Sequence, residues 1–218
     1  MHRSVTLLVA FVIIAQTMAQ KGRLPEVSST IKGDLNLPIP WKNPLFTNYT
    51  ENIGQAGLAF QYPVYHGLGI GVGGAMWWTT LKERTLQPFV PNGDVRRTIA
   101  YGKVAYERYT GPVTFYEASL RAGMAWYDFD CGTCAGARDG VAYWGIGVGY
   151  FLQATENLAF GLTLGYDQAS RNFTADDLGE QQFPGTSEST ERRPMRNVLV
   201  GLGFSTRLRR SEREAVTW

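Results

Sequence analysis

The sequence is poor in the residues that carry most chemistry. Beyond position 19 it holds one histidine, His66, and two cysteines, Cys131 and Cys134. Acid–base and nucleophilic catalysis usually needs a histidine with a partner in reach. His66 falls in a short turn beside Pro63 and Tyr65 with no such partner, so it reads as a turn residue. The cysteines form the pattern Cys131-Gly132-Thr133-Cys134 inside the Gly-rich stretch DFDCGTCAGARDG. That stretch lacks the helix start of a redox-active pair, and zinc would need two further ligands where only His66 remains. In an oxidising compartment a structural disulfide that stiffens the loop is the expectation.

Other absences are as restrictive. A formal net charge of +2, with basic residues scattered except from Arg207 to Arg213, gives no nucleic-acid surface. No long window carries a helical repeat. The one apolar run, Val5 to Ala15, follows His2 and Arg3 and precedes Gln16-Thr17-Met18-Ala19. It is too short for a spanning helix and has the layout of a secretory signal peptide cleaved after Ala19. Residues 1–19 are therefore read as the signal, and 20–208 as one domain. A formal GxGxxG from Gly69 to Gly74 lies within an alternating run, not between a strand and a helix, and is accidental as a dinucleotide motif. Asn48-Tyr49-Thr50 and Asn172-Phe173-Thr174 match a glycosylation acceptor, which matters only in a eukaryotic source.

What the chain has in quantity is glycine, 25 residues, and aromatic side chains, 13% of the total. From Val141 to Gln168 large apolar residues take every second place: Trp144, Ile146, Val148, Tyr150 and Leu152, then Leu158, Phe160, Leu162, Leu164 and Tyr166. Gly, Ala or a polar residue fills the places between. A period of two belongs to strands. One face is greasy and the other mostly glycine, which fits lipid outside and a crowded interior inside a small closed barrel.

Eight segments share this period: Thr30–Pro38, Gly54–Tyr62, Gly67–Thr80, Arg97–Tyr109, Val113–Tyr127, the two arms of the 141–168 hairpin, and Arg196–Leu208. Pro63 is expected to stop the second. In the fourth, Ile99 and Arg108 break the alternation. Connections alternate in length, short at Pro63–His66, Thr110–Pro112 and Thr155–Asn157, and long at Ile39–Ile53, Leu81–Arg96, Asp128–Gly140 and Arg171–Pro194. Short turns on one rim and long loops on the other are the layout of an outer-membrane barrel, with turns periplasmic and loops extracellular.

With the Gly-rich strands GLGIGVGGAMWW and YWGIGVGYFL, the chain resembles the small eight-stranded outer-membrane barrels of Gram-negative bacteria, the OmpX-like and OmpW-like proteins and the outer-membrane β-barrel families of Bacteroidota. The resemblance covers nearly all of the chain after residue 19 and implies an all-β, eight-stranded antiparallel up-and-down transmembrane barrel. The end departs from the pattern. Such barrels often finish on a strand with a terminal aromatic, whereas Phe204 is followed by TRLRRSEREAVTW, so residues 209–218 are read as a short periplasmic tail.

The inward face of this scheme gathers Lys32, Lys103, Arg121 and Arg207 with Asp34, Glu107, Glu117 and Asp167. An eight-stranded barrel is only wide enough for side chains to fill it, so buried charges must pair. A salt-bridged plug is expected; a narrow gated path is the alternative. A carboxylate-only catalytic site at Glu107, Glu117 or Asp167 competes less well, because neighbouring Lys and Arg account for those acids. Trp77, Trp78, Tyr106, Tyr109, Trp126, Tyr127, Tyr143, Trp144 and Tyr166 lie near strand ends and are read as interfacial aromatic girdles. The resulting expectation is a non-enzymatic barrel without cofactor or metal, contacting outer-membrane lipid and other outer-membrane proteins through its loops or wall. It would act as an accessory, scaffold or adhesion protein. A channel for small or hydrophobic solutes, a lipid-modifying enzyme and a soluble lipocalin-like barrel are the competing readings.

Overall fold

The computed structural model describes residues 27–82, 93–131, 140–172 and 194–208. Eight strands close into a barrel in sequence order: β1 (Thr30–Pro40), β2 (Thr50–Tyr65), β3 (Leu68–Leu81), β4 (Gly93–Tyr109), β5 (Thr114–Cys131), β6 (Gly140–Gln153), β7 (Leu158–Asn172) and β8 (Pro194–Arg207). Every neighbour pair is antiparallel, and β1 closes the ring on β8 from Thr30 opposite Arg207 to Pro40 opposite Asn197. Closure leaves no free strand edge, as a sheet surrounded by lipid requires. The expected all-β, eight-stranded up-and-down fold is the one the chain adopts.

Alternation decides which side chains enter. On the outer wall lie Leu58, Ile70, Val72, Leu120, Ile146, Val148, Leu162, Leu164 and Leu202, each more than half exposed. The glycines between them let large interior groups lie against the wall. A Cβ on Gly147 would stand 3.2 Å from Ser119 Oγ and 3.3 Å from Arg121 Nη2. At Gly123 it would stand 2.1 Å from the Ala100 carbonyl, so the pairing of β4 with β5 itself leaves no room there.

Several boundaries differ from the sequence expectation. β2 does not stop at Pro63 but runs to Tyr65, because a register shift between Pro63 and Tyr65 accommodates the missing N–H. The turn that follows is two residues long, with His66 at φ 40° and Gly67 at φ 87°, the positive pair of a type I′ hairpin. β4 starts at Gly93, four residues before Arg97, and alternates strictly to Tyr109. Ile99 is buried inside and Arg108 exposed outside, so neither breaks the rule. β5 begins at Thr114, one residue after Val113. The first long connection contains a short helix, α1 (Pro44–Tyr49), capped by the Asn43 side chain on the Phe46 N–H at 3.2 Å. The segments expected to be signal and tail, 1–19 and 209–218, lie outside the described residues.

Candidate functional site: the barrel lumen

The interior is a packed core in three tiers. At the turn end Phe151 stacks on Phe115, with ring centroids 5.0 Å apart, and Tyr109 packs tilted against the Phe115 ring at 5.1 Å. Arg207 lies over the Tyr109 ring at 5.1 Å and donates to its hydroxyl. All three rings are buried, although the alternation gives this face as glycine, alanine and polar residues.

Above them sits the first ion cluster. Lys32 Nζ lies 2.5 Å from Glu107 Oε2 and 2.5 Å from Glu117 Oε2. Lys103 Nζ reaches the other Glu117 oxygen at 2.6 Å. Lys103 comes from β4 and Glu117 from the facing strand β5, whereas Lys32 reaches across from β1. Lys32 also rests over the Phe115 ring, 5.2 Å from its centroid, so the cluster stands directly on the aromatic floor. All four charged side chains are nearly solvent-free, the condition under which pairing is required. Beside them Arg121 stacks on the Tyr101 ring at 5.6 Å. Asp34 accepts from the Asn36 amide, and Asn36 Oδ1 accepts from Thr163 Oγ1 at 2.9 Å. The void lined by Asn36, Glu117, Ser119, Arg121 and Thr163 measures about 30 Å³, room for a water and little else.

Nearer the loop end lies a second cluster centred on Arg97. Its guanidinium donates from Nη2 to Asp167 Oδ2 at 2.6 Å and from Nη1 to Oδ1 at 3.4 Å. Nη2 also reaches Gln55 Oε1 at 3.1 Å, and Asn197 donates to Asp167 Oδ1 at 2.8 Å. Arg97 stands 4.6 Å over the Trp77 ring, and Phe46 of α1 packs on Trp77 at 5.3 Å. Helix α1 thus leans an aromatic side chain onto the top of the plug.

The structure therefore brings together most of the expected lumen residues. Lys32, Lys103, Glu107 and Glu117 form one cluster, with Arg121 and Asp34 beside it and Arg207 at the turn-end mouth. Asp167 belongs to a separate tier with Arg97, Gln55 and Asn197, which the sequence reading did not include. A signal for Arg97 existed: it shares odd-number parity with Lys103 and Glu107 on β4.

The aromatic girdle needs correcting. Trp78, Tyr106, Trp126 and Trp144 are exposed on the outer wall, and Tyr166 lies outside against Trp41 and Trp144. Trp77, Tyr109, Tyr127 and Tyr143 are instead buried inside. In Trp77-Trp78, Trp126-Tyr127 and Tyr143-Trp144 adjacent strand residues must take opposite faces, so only one of each pair can meet lipid. Tyr109 shares the inward parity of Glu107. Cys131 ends β5, and Cys134 lies outside the described residues. Among the described residues no group of three or more His, Cys, Asp and Glu is placed to hold a metal ion.

The sequence matches no protein-family model and no curated protein sequence. Solved structures do match. Neisserial surface protein A aligns at a TM-score of 0.53 with 10% identity, over 83% of this chain and 97% of its own. Outer membrane protein OprG of Pseudomonas aeruginosa aligns at 0.46 with 12% identity, over 85% of this chain and 99% of its own. The attachment invasion locus protein Ail of Yersinia pestis, in complex with the heparin analogue sucrose octasulfate, aligns at 0.45 with 10% identity, over 83% and 99%. The chain has the fold of the small eight-stranded outer-membrane β-barrels.

Proposed function

We propose that this chain is an integral outer-membrane barrel whose lumen is filled and does not conduct, and that it works through its loops and outer wall as an accessory, scaffold or adhesion protein. The carrying observation is the two-tier plug: Lys32, Lys103, Glu107 and Glu117 in one layer, Arg97 and Asp167 in another, with stacked rings between plug and turn-end mouth. An ion crossing the barrel would have to separate both layers in a low-dielectric interior. The exposed apolar wall supports the membrane assignment, and the rim of short turns supports placing turns and termini in the periplasm.

No catalysis belongs to this reading. His66, the only histidine among the described residues, packs edge-to-face with Tyr65 at the turn. The buried carboxylates Glu107, Glu117 and Asp167 are each paired with a base. A disulfide between Cys131 and Cys134 is part of the reading, and free thiols in the native protein, measured by mass spectrometry with and without reductant, would remove it.

Conductance across a planar bilayer tests the proposal. The purified barrel is expected to give no reproducible single-channel steps. Clear steps would establish the alternative, a narrow path for small solutes, and refute the filled lumen.

A further inference from the structure

Near the loop end of β8, Asn197 points into the lumen onto Asp167, so Arg196, one residue before it, faces outward. Its Nε is buried, and among the described residues no acceptor reaches it. A guanidinium N–H held out of water without an acceptor is costly, so the position favours an anion. On one side stands Trp41, whose N–H donates to the Arg196 carbonyl at 2.9 Å, and on the other Gln168, its cross-strand partner on β7. The Gln168 carbonyl oxygen accepts from the Tyr166 hydroxyl at 3.0 Å, which leaves the amide N–H groups as donors beside the guanidinium. Trp41 and Trp144 close on the Tyr166 ring at 5.8 Å and 5.4 Å, so these donors lie among the aromatic rings that mark a membrane interface.

Directly turnward of the donors, an apolar groove of about 560 Å³ begins at Val198 and Tyr166. One margin is the cross-strand row from Val198 through Ile146 to Val104, and the other runs from Leu164 through Ala118 to Leu68. The backbone between the rows, at Gly147 and Gly165 among others, forms the floor. The row of cross-strand partners that starts at Arg196 passes through Gln168 and Trp144 and, followed round the barrel, returns to β8 at Thr206, nearer the turn end. This offset is the stagger that closes a barrel of tilted strands. A path across the wall from β8 to β3 therefore descends from the loop end, the direction that an acyl chain takes from its headgroup.

We propose that Arg196 and Gln168 bind the phosphate of an anionic lipid headgroup, with an acyl chain of the same lipid laid in the groove below. The guanidinium offers its planar fork to the phosphate oxygens, and the Gln168 amide adds a further donor. Among the described residues no wall position adjoining these two carries a carboxylate. A headgroup of net negative charge therefore meets donors alone, and an ammonium on the same headgroup gains nothing from the protein. The site rests on the membrane reading above and adds a headgroup class to it.

The full-length barrel in detergent is offered matched-chain phosphatidylglycerol and phosphatidylcholine, and retained lipid is counted by native mass spectrometry. Phosphatidylglycerol is expected to exceed phosphatidylcholine about three- to fivefold, the size that one half-exposed ion contact supports. Arg196→Gln should bring phosphatidylglycerol down to the phosphatidylcholine level. Ala118→Phe, which fills the groove, should lower both lipids and keep their ratio. Arg108→Gln, exposed at the opposite rim, should leave the preference in place. Inorganic phosphate at the lipid's concentration should not compete, because it has no chain for the groove, and displacement by it would overturn the lipid assignment. Equal retention of the two lipids by the wild type, or a preference that survives Arg196→Gln, overturns the headgroup site, and unchanged retention in Ala118→Phe overturns the groove. A barrel that still needs detergent in those cases keeps the membrane reading intact, whereas one that stays soluble without it refutes that reading as well.

Discussion

Arg97 and Asp167 lie 70 positions apart in the sequence and meet at 2.6 Å inside the barrel, with no part of either side chain open to solvent. They hold β4 to β7 across the lumen. Neither strand is a neighbour of the other in the sheet, so the pair ties opposite walls.

Breaking that pair from one side leaves a buried charge with nothing to balance it. Asp167→Asn is expected to destabilise the barrel by about 3–5 kcal/mol, the usual consequence of orphaning a buried ion. Arg97→Met combined with Asp167→Leu should cost much less than either single change, since both desolvation penalties vanish together. Urea unfolding of the barrel refolded into detergent, followed by tryptophan fluorescence, reads the difference. A double variant as unstable as the sum of the two singles would mean that the pair is not coupled.

Gly123 and Gly102 give a matched contrast in wall packing. A methyl group on Gly123 would lie 2.1 Å from the Ala100 carbonyl, and one on Gly102 would find nothing nearer than 3.9 Å. Gly123→Ala should lower stability by about 1–3 kcal/mol through overpacking, and Gly102→Ala should stay within about 0.5 kcal/mol of the parent. Equal midpoints for the two variants in the same urea titration would contradict the close approach of β4 and β5 at Gly123.

The barrel was legible because a period of two survives in every strand and because loops and turns alternate in length. The interior was legible where it was charged. Lys103 and Glu107 stand out as charges among Tyr101, Ala105 and Tyr109 on the same face, and Glu117 does so between Phe115 and Ser119. It was less legible where the same face turns apolar. Ile99, pointing inward above Lys103, looks like a break in the pattern only if the interior is assumed to be polar throughout. An eight-stranded barrel is packed with side chains rather than water, so Ile99, Trp77 and Tyr127 fill the upper lumen as core residues, and Arg97 was hidden among them. Asn197 and Gln55 carry no charge to mark them, and only the register of β2 and β8 reveals that they complete the Arg97 tier.

The His66-Gly67 turn makes a prediction about the hairpin of β2 and β3. Both residues hold positive φ, and a Cβ on Gly67 would lie 2.3 Å from the Glu107 carbonyl. Gly67→Ala should destabilise by more than about 1 kcal/mol, while His66→Asn, which suits the left-handed region, should be neutral or mildly stabilising. Unchanged lipid profiles in cells carrying His66→Asn are expected as well. A change in those profiles without a change in unfolding midpoint would give His66 a chemical role and reopen the enzymatic reading.

The two adjacent tryptophans on β3 test the wall and the lumen in one measurement. Trp78 is 38% exposed on the outer face, whereas Trp77 is fully buried under Arg97 and Phe46. Two variants, each keeping one of them and replacing the other tryptophans with phenylalanine, are reconstituted in bilayers whose acyl chains carry bromine. A ring in contact with lipid is quenched, and one shielded by the strand backbone is not. Trp78 emission should fall strongly, and Trp77 emission should remain close to its value in unbrominated lipid. Trp77→Phe is expected to lower the unfolding midpoint far more than Trp78→Phe, because only Trp77 has close-packed neighbours on every side. Strong quenching of both rings would place Trp77 in lipid and undo the inward assignment on which the upper tier of the plug depends.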